Sequence, residues 1–434
     1  MKIEEFKNRR KALQKMLESD SIVIVSSAPE QPRNGDVLYP YRQDSDFFYL
    51  TGFHEPDAVA VIIPQRNQGE YLLFCRESDP TAEIWSGKRA GLVGACDYYG
   101  ADDAFPITDI EDILPGLLEN KKRIYYSMGR YKSFDQRVIN WVSLAGAKGR
   151  AGIHAPDQFI SLAQIVHEMR LIKSHSEIKI MKKAAAISAE AHIKAMKIAK
   201  PGMKEFQLEA ELTSSFISQG ARYSAYPSIV GGGKNGCILH YIDNNSEIQD
   251  GELVLIDAGA EYECYAADIT RTFPINGRFT SEQKAVYEIV LEAQVAAIEA
   301  VKPGNSWNDP HEAAVRVITR GLIDLKILTG AVEDLVAEES YRPYFMHRTG
   351  HWLGMDVHDV GEYKIDGEWR VLESGMVTTV EPGLYLSRNI QGLDSKWWDI
   401  GIRIEDDVLV TNNGNDVISS RVPKEVSEIE SLML

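Results

Sequence analysis

Two long helical patterns with the same start and stop signals constrain the fold of this chain more than any other feature. Ser174-His-Ser-Glu177 and Thr280-Ser-Glu-Gln283 both match the capping box that opens a helix. Each helix then ends at Lys-Pro-Gly, at 200–202 and at 302–304, where proline and glycine stop it. The repetition indicates two duplicated halves, each a helix plus a hairpin, although such a common terminator could also recur by chance.

The residues before this region predict a different arrangement, an α/β domain. Short apolar runs that read as strands interleave with helical patterns, as in α/β folds. The runs are 22–25, 47–50, 58–63, 71–74 and 124–126, and the helical patterns are 3–17, 110–119 and 133–145. We therefore expect an N-terminal domain at 1–170 and a C-terminal domain at 171–434.

The charge balance excludes several classes of partner. The sequence has 64 acidic and 47 basic residues, so its formal charge is −17. This charge argues against binding to nucleic acid, because a protein that binds nucleic acid needs a basic surface. No run approaches the ~18 consecutive apolar residues of a membrane helix. The N-terminus has no signal-peptide pattern. The 4 cysteines are widely spaced and read as free thiols, so we expect a cytoplasmic protein.

A pair of aspartates in apolar surroundings is the first sign of chemistry. Asp257 ends the run Leu253-Val-Leu-Ile, and Asp268 follows after a turn at 262–263. If the two segments pair as a hairpin, these carboxylates lie directly opposite each other and would repel unless a cation lay between them. The alternative is that each aspartate caps a turn or pairs with a nearby arginine such as Arg271.

The second half contains a matching pair of carboxylates. Glu381 ends the apolar strand pattern at 376–380, and Glu405 lies in another, at 400–408. Two hairpins with two inward carboxylates each would form a cage of four, which is hard to accommodate in a core without a metal ion.

Histidines accompany this predicted cage. His347, His351 and His358 lie within one short glycine-containing segment, and His240 stands alone in Ile-Leu-His-Tyr. A single histidine is more often a core residue than a ligand, but a cluster beside four carboxylates favours a metal site.

Other motifs point away from cofactor or serine chemistry. Gly231–Gly236 matches GxGxxG, but the strand-like run Cys237–Tyr241 follows it where a dinucleotide site needs a helix. P-loop, HExxH and GxSxG patterns do not occur in the sequence.

The carboxylates and histidines together resemble the metal set of the pita-bread metallopeptidases, which include aminopeptidase P, prolidase and methionine aminopeptidase. The set is Asp257, Asp268, His351, Glu381 and Glu405. The runs Tyr39–Phe53 and Asp79–Arg89 resemble the N-terminal domain of aminopeptidase P. This resemblance implies an α/β N-terminal domain and an α+β pita-bread catalytic domain with internal pseudo-twofold duplication.

The resemblance also implies a ligand scheme and a reaction. Asp257 would bind one metal ion, His351 and Glu381 the other, while Asp268 and Glu405 would bridge both. The oxygen-rich set favours Mn²⁺, with Co²⁺, Fe²⁺ or Zn²⁺ as alternatives. A hydroxide shared by the two ions would attack the first peptide carbonyl, with Glu381 as the proton shuttle.

Further roles follow from the same resemblance. His240 and His358 would steady the substrate carbonyl and its oxyanion. His347 would lie behind the ligands, and Arg403 would orient the region around Glu405. The N-terminal domain would mediate assembly and border the active site of a neighbouring subunit. The candidate residues for this contact with the neighbouring active site are Trp85 and Asp36.

The implied substrates are peptides with proline in the second position, and the implied assembly is a homodimer or homotetramer. Arg348 departs from the family pattern, which usually has glycine after the residue equivalent to His347. Two alternative functions remain: a prolidase that cleaves only Xaa-Pro dipeptides, and a metal-free descendant that serves as a binding module.

Overall fold

The computed structural model describes residues 1–434. The chain divides into two compact units, Met1–Met169 and Arg170–Leu434. No helix combines the length and the apolar composition that crossing a membrane requires.

The first unit interleaves strands and helices. Its strands are β1 Ser21–Ser26, β2 Pro32–Asn34, β3 Val37–Leu38, β4 Val59–Ile62, β5 Tyr71–Cys75, β6 Asp103–Pro106, β7 Arg123–Tyr125 and β8 Gln158–Ile160. The α-helices in this part of the chain are α1 Ile3–Met16, α2 Ser45–Thr51, α3 Pro80–Ser86, α4 Gly91–Asp97, α5 Ile110–Leu117, α6 Lys132–Gly146 and α7 Ala163–Leu171. Two 3-10 turns accompany them, at Ile107–Asp109 and Gly149–Ala151.

Six of these strands form one mixed sheet in the order β6-β5-β4-β1-β7-β8. The central strands are rich in Val and Ile, which suits a sheet buried on both faces. Helices α5 and α6 contribute Leu114, Val138 and Trp141 to the core on one face of this sheet. The α/β expectation for this part of the chain is confirmed.

One predicted strand of this unit is wrong. Residues 47–50 lie in helix α2, which begins after Asp44 and ends at Gly52. The Asp44 carboxylate accepts a hydrogen bond of 3.0 Å from the amide of Phe47, and Gly52 closes the helix at a φ of 68°. The helix is buried on every face, so its continuous apolar run cannot be told from a buried strand by periodicity.

The second unit begins with long helices and carries several small sheets. Its α-helices are α8 His175–Ile198, α9 Glu205–Ser218, α10 Ser281–Ala300, α11 Asp309–Asp324, α12 Val332–Ala337 and α13 Val426–Met433. Its strands are β9 Tyr223–Ser224, β10 Ile229–Gly232, β11 Leu253–Asp257, β12 Ala260–Tyr262, β13 Tyr265–Ala266, β14 Thr270–Pro274, β15 Lys364–Ile365, β16 Glu368–Trp369, β17 Val377–Val380, β18 Gly383–Leu386, β19 Ile400–Arg403, β20 Asp406–Thr411 and β21 Gly414–Val417. Its 3-10 helices are Gly233–Cys237 and Ser395–Trp397.

Both predicted capping boxes are present and open the two long helices. Ser174 accepts from the amide of Glu177 at 3.3 Å, and the Glu177 carboxylate accepts from the amide of Ser174 at 2.9 Å. Thr280 and Gln283 make the same two bonds at 3.2 and 3.0 Å. Helices α8 and α10 therefore start where the sequence predicts, and both end at the Lys-Pro-Gly stops.

The two halves of this unit repeat one plan. Helices α8 and α9 precede the antiparallel sheet β10-β11-β14, and helices α10 and α11 precede the sheet β17-β20-β21 and the hairpin β18-β19. Apolar side chains of all these helices and strands pack into one hydrophobic core. The strand ends of both sheets carry the acidic residues singled out above.

The strand-like interpretation of Cys237–Tyr241 is wrong. The segment leaves β10 through a 3-10 helix and continues without regular structure. The buried carboxylate of Glu205 explains this path, because it accepts hydrogen bonds from the Gly232 amide, the Asn235 side chain and the Tyr241 hydroxyl at 2.8–2.9 Å. The chain wraps around this one acceptor instead of extending.

Candidate active site

A cavity of about 310 Å³ in the second unit brings the predicted site residues together. Acidic and imidazole side chains form one part of its wall, and apolar side chains form the rest. Its lining is Tyr226, Pro227, Ile229, His240, Ile242, Asp257, Asp268, His351, Val357, His358, Glu381 and Glu405.

The aspartates approach each other by a different route from the one predicted. Asp257 ends β11 and pairs with Thr270, not with Asp268, which lies in the segment before β14. Since side chains two residues apart share a face, Asp268 still points to the same side as the partner of Asp257. The close approach requires Gly259, where an added Cβ would lie 1.7 Å from the carbonyl oxygen of Ala267.

The glutamates flank the corresponding strands of the second half. Glu381 directly follows β17, as expected. Glu405 was expected within a strand, but it lies in the break between β19 and β20. There its amide donates to the carbonyl oxygen of Thr270 at 3.0 Å, and the Thr270 hydroxyl donates to its carboxylate at 2.6 Å. These bonds aim Glu405 at the aspartates of the first half.

His351 completes the cluster. Its Nδ1 lies 3.0 Å from the carbonyl oxygen of Trp352, so this nitrogen carries a proton and Nε2 faces the carboxylates. Nε2 is 3.3 Å from Asp268 Oδ2 and 3.7 Å from Glu381 Oε1. Burial alone would lower the pKa of His351, but the hydrogen bond to Asp268 and the charge of Glu381 outweigh it and raise the pKa to about 9.

The glycine before His351 allows that histidine to reach the site. An added Cβ on Gly350 would lie 2.1 Å from the carbonyl oxygen of Thr379 in β17, so no larger residue fits there. The backbone of His351 then donates to the hydroxyl of Thr379 at 3.1 Å. The histidine segment is thus fixed against the strand that carries Glu381.

The carboxylates are too crowded to ionise together. Burial first, and neighbouring acidic groups second, raise the pKa of Glu405 well above its usual range. Burial also raises the pKa of Glu381 to about 7, against the opposing charges of His351 and Arg403. Burial also raises the pKa of Asp257, against the opposing charge of Arg403. Such a cluster is stable in its charged form only with cations among the carboxylates.

The donor set fits divalent metal ions. Ligand atoms of Asp268, His351 and Glu405 lie within 4.8 Å of one another. Asp257 and Asp268 both direct an Oδ1 at the single hydroxyl of Tyr226, at 2.6 and 2.5 Å. The hydroxyl has one proton and can donate it to only one of these two oxygens. The other oxygen has no hydrogen-bond donor from Tyr226, and a bound cation would take the place of that donor.

No pattern in the sequence singles out Tyr226. It precedes Pro227 in a segment between β9 and β10, and only the folded chain brings its hydroxyl to the aspartates. Tyr385 and Thr270 were also missed. Thr270 had one usable signal, because it lies two residues from Asp268 and thus on the same face.

A chain of hydrogen bonds runs from Asp257 to His347. Arg403, at the end of β19, donates to Asp257 Oδ2 at 2.6 Å and to the Tyr385 hydroxyl at 2.9 Å. The hydroxyl therefore donates onward to Nε2 of His347, 2.8 Å away. Burial and the charge of Arg403 lower the pKa of His347 to about 3, so this imidazole is neutral. Arg271, weighed as a partner for the aspartates, pairs with Asp406 instead.

His240 and His358 both line the cavity. Both side chains are exposed at its edge. The ring of His358 contacts that of His351 with centroids 4.4 Å apart. The loop of His240 is held by Glu205, and the segment of His358 is anchored through the next residue, Asp359.

Asp359 is the centre of a buried ion cluster. Its carboxylate lies 3.0 Å from Lys173 Nζ and 2.6 Å from Arg170 Nη2. All three side chains are almost fully buried, and Arg170 also reaches Asp356 at 2.8 Å. The chain on both sides of His358 is therefore fixed to the start of the second unit.

The two candidate contacts from the first unit are far more accessible. Trp85 lies in helix α3 with 88% of its surface exposed. Asp36 is also exposed, between β2 and β3. Neither side chain lines the cavity of the second unit.

Fold and site together define a class of protein. Residues 179–412 match metallopeptidase family M24, and residues 6–125 match the aminopeptidase P N-terminal domain. The chain belongs to metallopeptidase family M24. The α/β N-terminal domain and the pita-bread catalytic fold expected from the sequence are confirmed.

Individual relatives are similar to this chain over nearly its whole length. The chain is 45% identical over 432 residues to the Xaa-Pro aminopeptidase of Escherichia coli, which covers 99% of this chain and 98% of the relative. It is 41% identical to the Xaa-Pro aminopeptidase of Haemophilus influenzae, and the match covers 99% of this chain and 97% of the relative. The solved structure of Pseudomonas aeruginosa aminopeptidase PepP matches with a TM-score of 0.99 and 55% identity, covering 100% of this chain and 98% of that one. A zinc-substituted Escherichia coli aminopeptidase P in complex with product matches at 0.97 and 45% identity, covering 100% and 98%.

Proposed function

We propose that this protein is an Xaa-Pro aminopeptidase, a metallo-exopeptidase that releases the N-terminal residue from peptides with proline in the second position. The observation that carries the proposal is the cavity in which Asp257, Asp268, His351, Glu381 and Glu405 converge. Its support is the full-length similarity to relatives named as Xaa-Pro aminopeptidases at 41% and 45% identity.

The five converging residues would hold two divalent metal ions. Asp257 would serve one ion, His351 and Glu381 the other, and Asp268 and Glu405 both. Carboxylates with one imidazole suit Mn²⁺, while Co²⁺, Fe²⁺ or Zn²⁺ would also accept this set. When bound, the metal would supply a Lewis acid and a water of lowered pKa.

The chain's own residues would move protons and stabilise charge. Glu381, at the end of β17, would take a proton from the attacking water and deliver it to the leaving nitrogen. His240 and His358, at the cavity edge, would donate hydrogen bonds to the substrate carbonyl and its developing oxyanion. Arg403 would keep Asp257 oriented through its hydrogen bond. Neutral His347 would accept the hydrogen bond of Tyr385 and so hold Tyr385 and Arg403 in place.

The apolar part of the cavity supports selection for proline. An Xaa-Pro bond is a tertiary amide without an N–H, and the ring fixes φ. Enzymes that bind their substrates through a backbone N–H at this position bind an Xaa-Pro peptide poorly. A pocket that accommodates the proline ring instead selects such a peptide. Pro227, Ile229, Ile242 and Val357 offer such an apolar wall beside the acidic cluster.

Assembly and location form the remaining parts of the proposal. A homodimer or homotetramer would place the exposed Trp85 and Asp36 at the active site of a neighbouring copy. Trp85 supports this, because an indole with 88% of its surface exposed is unusual on a free face. The 4 cysteines form no disulfide, which suits a cytoplasmic protein.

The decisive experiment is a peptide panel. Purified protein is stripped with a chelator and assayed with and without added Mn²⁺ on Ala-Pro-Ala, Ala-Pro and Ala-Ala-Ala. The proposal expects Mn²⁺-dependent release of alanine from Ala-Pro-Ala only. Cleavage restricted to Ala-Pro would make the protein a prolidase. Absence of turnover and of metal binding would support the binding-module alternative.

A further inference from the structure

A second cleft, of about 380 Å³, adjoins the catalytic cavity. Helix α11 contributes His311, Glu312 and Arg316 to its wall, and the segment before His351 contributes Phe345, His347 and Arg348. We call it the Arg348 cleft. Its volume falls in the usual range for ligand sites, about 300–1,000 Å³.

The two cavities meet at a pair of side chains. His347 lines the Arg348 cleft, Glu381 lines the catalytic cavity, and His347 Nδ1 lies 3.9 Å from Glu381 Oε2. A peptide whose scissile bond lies at Glu381 must continue in some direction past its proline, because only its first residue is removed. The Arg348 cleft begins at that point.

The guanidinium of Arg348 is pre-oriented. It stacks near the rings of Trp307 and Trp369, with its carbon 5.3 and 4.9 Å from their centroids. One Nη donates to the side-chain oxygen of Asn308. Arginine is well suited to hold a carboxylate through its planar fork, and such stacking reduces the entropy lost on binding.

Of the three arginines that line the cleft, Arg316 and Arg348 make no ion pair, and Arg348 is the one that also lies against aromatic rings. Arg342 pairs with Glu339 at 3.1 Å, and Glu312 accepts a hydrogen bond of 2.7 Å from Asn308. Arg348 itself makes no ion pair, although the charge of Glu312 lies nearby. Three arginines and two glutamates line the cleft, which is therefore net positive in a chain of charge −17.

We propose that the Arg348 cleft binds the part of the substrate that follows proline, and that Arg348 recognises a carboxylate on that part. The carboxylate is the C-terminus of a short peptide or the side chain of an acidic residue in a longer one. This inference rests on the proposed aminopeptidase activity and adds a preference for anionic peptides.

The test compares matched peptides on wild type, Arg348→Gln and Arg348→Lys. One arm is Ala-Pro-Ala as free acid against its C-terminal amide. The other is Ala-Pro-Ala-Glu amide against Ala-Pro-Ala-Gln amide. We expect wild type to favour the anionic member of at least one arm by about tenfold in kcat/KM, the scale of one charge-assisted hydrogen bond. The preference appears mainly in KM, since a contact remote from the reacting bond binds ground and transition states alike.

The variants then decide the role of the side chain. Arg348→Gln brings the ratio close to one, and Arg348→Lys leaves it intermediate, because lysine keeps the charge but not the fork. The matched control is Arg320→Gln, which removes an exposed arginine of helix α11 that does not line the cleft, and this variant keeps the wild-type ratio. The arm that responds identifies the source of the carboxylate.

Two results would overturn the inference: a wild-type ratio near one in both arms, or an equal loss of the ratio in Arg320→Gln. Calorimetric titration of Pro-Ala acid against Pro-Ala amide supplies a readout without turnover. A wild type that cleaves no peptide would end the proposed function, and the titration would still decide whether Arg348 binds a carboxylate.

Discussion

Arg403 Nη2 lies 2.6 Å from Asp257 Oδ2, and both side chains are buried. The same guanidinium holds Tyr385 and Thr270, so one arginine sets the position of a metal-ligand candidate and of the residues behind it. Outer contacts of this kind orient ligands and tune their affinity.

Replacing Arg403 by Lys tests this arrangement. Lysine keeps a positive charge beside Asp257 but lacks the planar fork whose three separate nitrogens bond Asp257, Tyr385 and Thr270. We expect kcat to fall by about 10–100-fold and metal affinity to weaken by a similar factor. Steady-state kinetics and metal titration measure the two effects. An Arg403→Lys protein with wild-type values of both would show that the hydrogen bonds are dispensable.

Removing a shared carboxylate should remove the metal. Asp268→Ala and Glu405→Ala each delete a ligand that the proposal assigns to both ions, so we expect no detectable turnover and a lower metal content. Elemental analysis beside the peptide assay measures both. Near-normal turnover with unchanged metal in either alanine variant would overturn the site assignment.

Glu381→Gln should retain the fold and lose activity by several orders of magnitude. The amide keeps the shape of the side chain but can neither accept the proton nor contribute charge to the site. Circular dichroism checks the fold and single-turnover kinetics the rate. If the loss is under about tenfold, a different residue moves the proton.

His240→Ala and His358→Ala should leave the metal content intact. Both imidazoles lie at the cavity edge, so we expect kcat to fall by about 10²–10³-fold, the usual cost of one lost oxyanion donor. KM should change less, because the contact strengthens mainly in the transition state. Loss of metal would make that histidine a ligand, and an unchanged rate would make it a bystander.

Asp359→Asn should lower the free energy of unfolding by about 3–5 kcal/mol at pH 7, since it leaves Lys173 and Arg170 buried beside a neutral group. Burial opposes ionisation of Asp359, but these two cations outweigh it and lower its pKa below the ordinary 3.8. A lowered folded-state pKa means that the stabilisation is complete above the unfolded-state pKa and is lost as pH falls through the folded-state value.

Denaturant unfolding between pH 7 and pH 2.5 tests that dependence. The difference between wild type and Asp359→Asn should be constant near neutrality and shrink below pH 3.8. Asp416→Asn is the matched control, since its pair with Lys182 is exposed and worth under about 1 kcal/mol. A difference that stays constant to pH 2.5 would contradict the ion-pair explanation.

Local signals in the sequence determined much of this protein. Ser174 and Thr280 defined two helix starts because a cap depends only on residues three apart. Asp257 and Glu381 could be recognised because a carboxylate at the end of an apolar run is unfavourable without a partner. These features depend only on residues close together in the sequence, so they can be predicted without knowledge of the fold.

The tertiary structure alone decided how the pieces meet. Asp257 pairs with Thr270 because the chain after β11 breaks into β12 and β13 before β14, a register that hairpin counting could not anticipate. Tyr226 reaches the two aspartates, and Tyr385 reaches Arg403 and His347, through one hydroxyl group each. Such contacts leave no periodic pattern, because they depend on where the backbone goes and not on which residues adjoin. Sequence thus determines which groups are available, and long-range packing determines which of them touch.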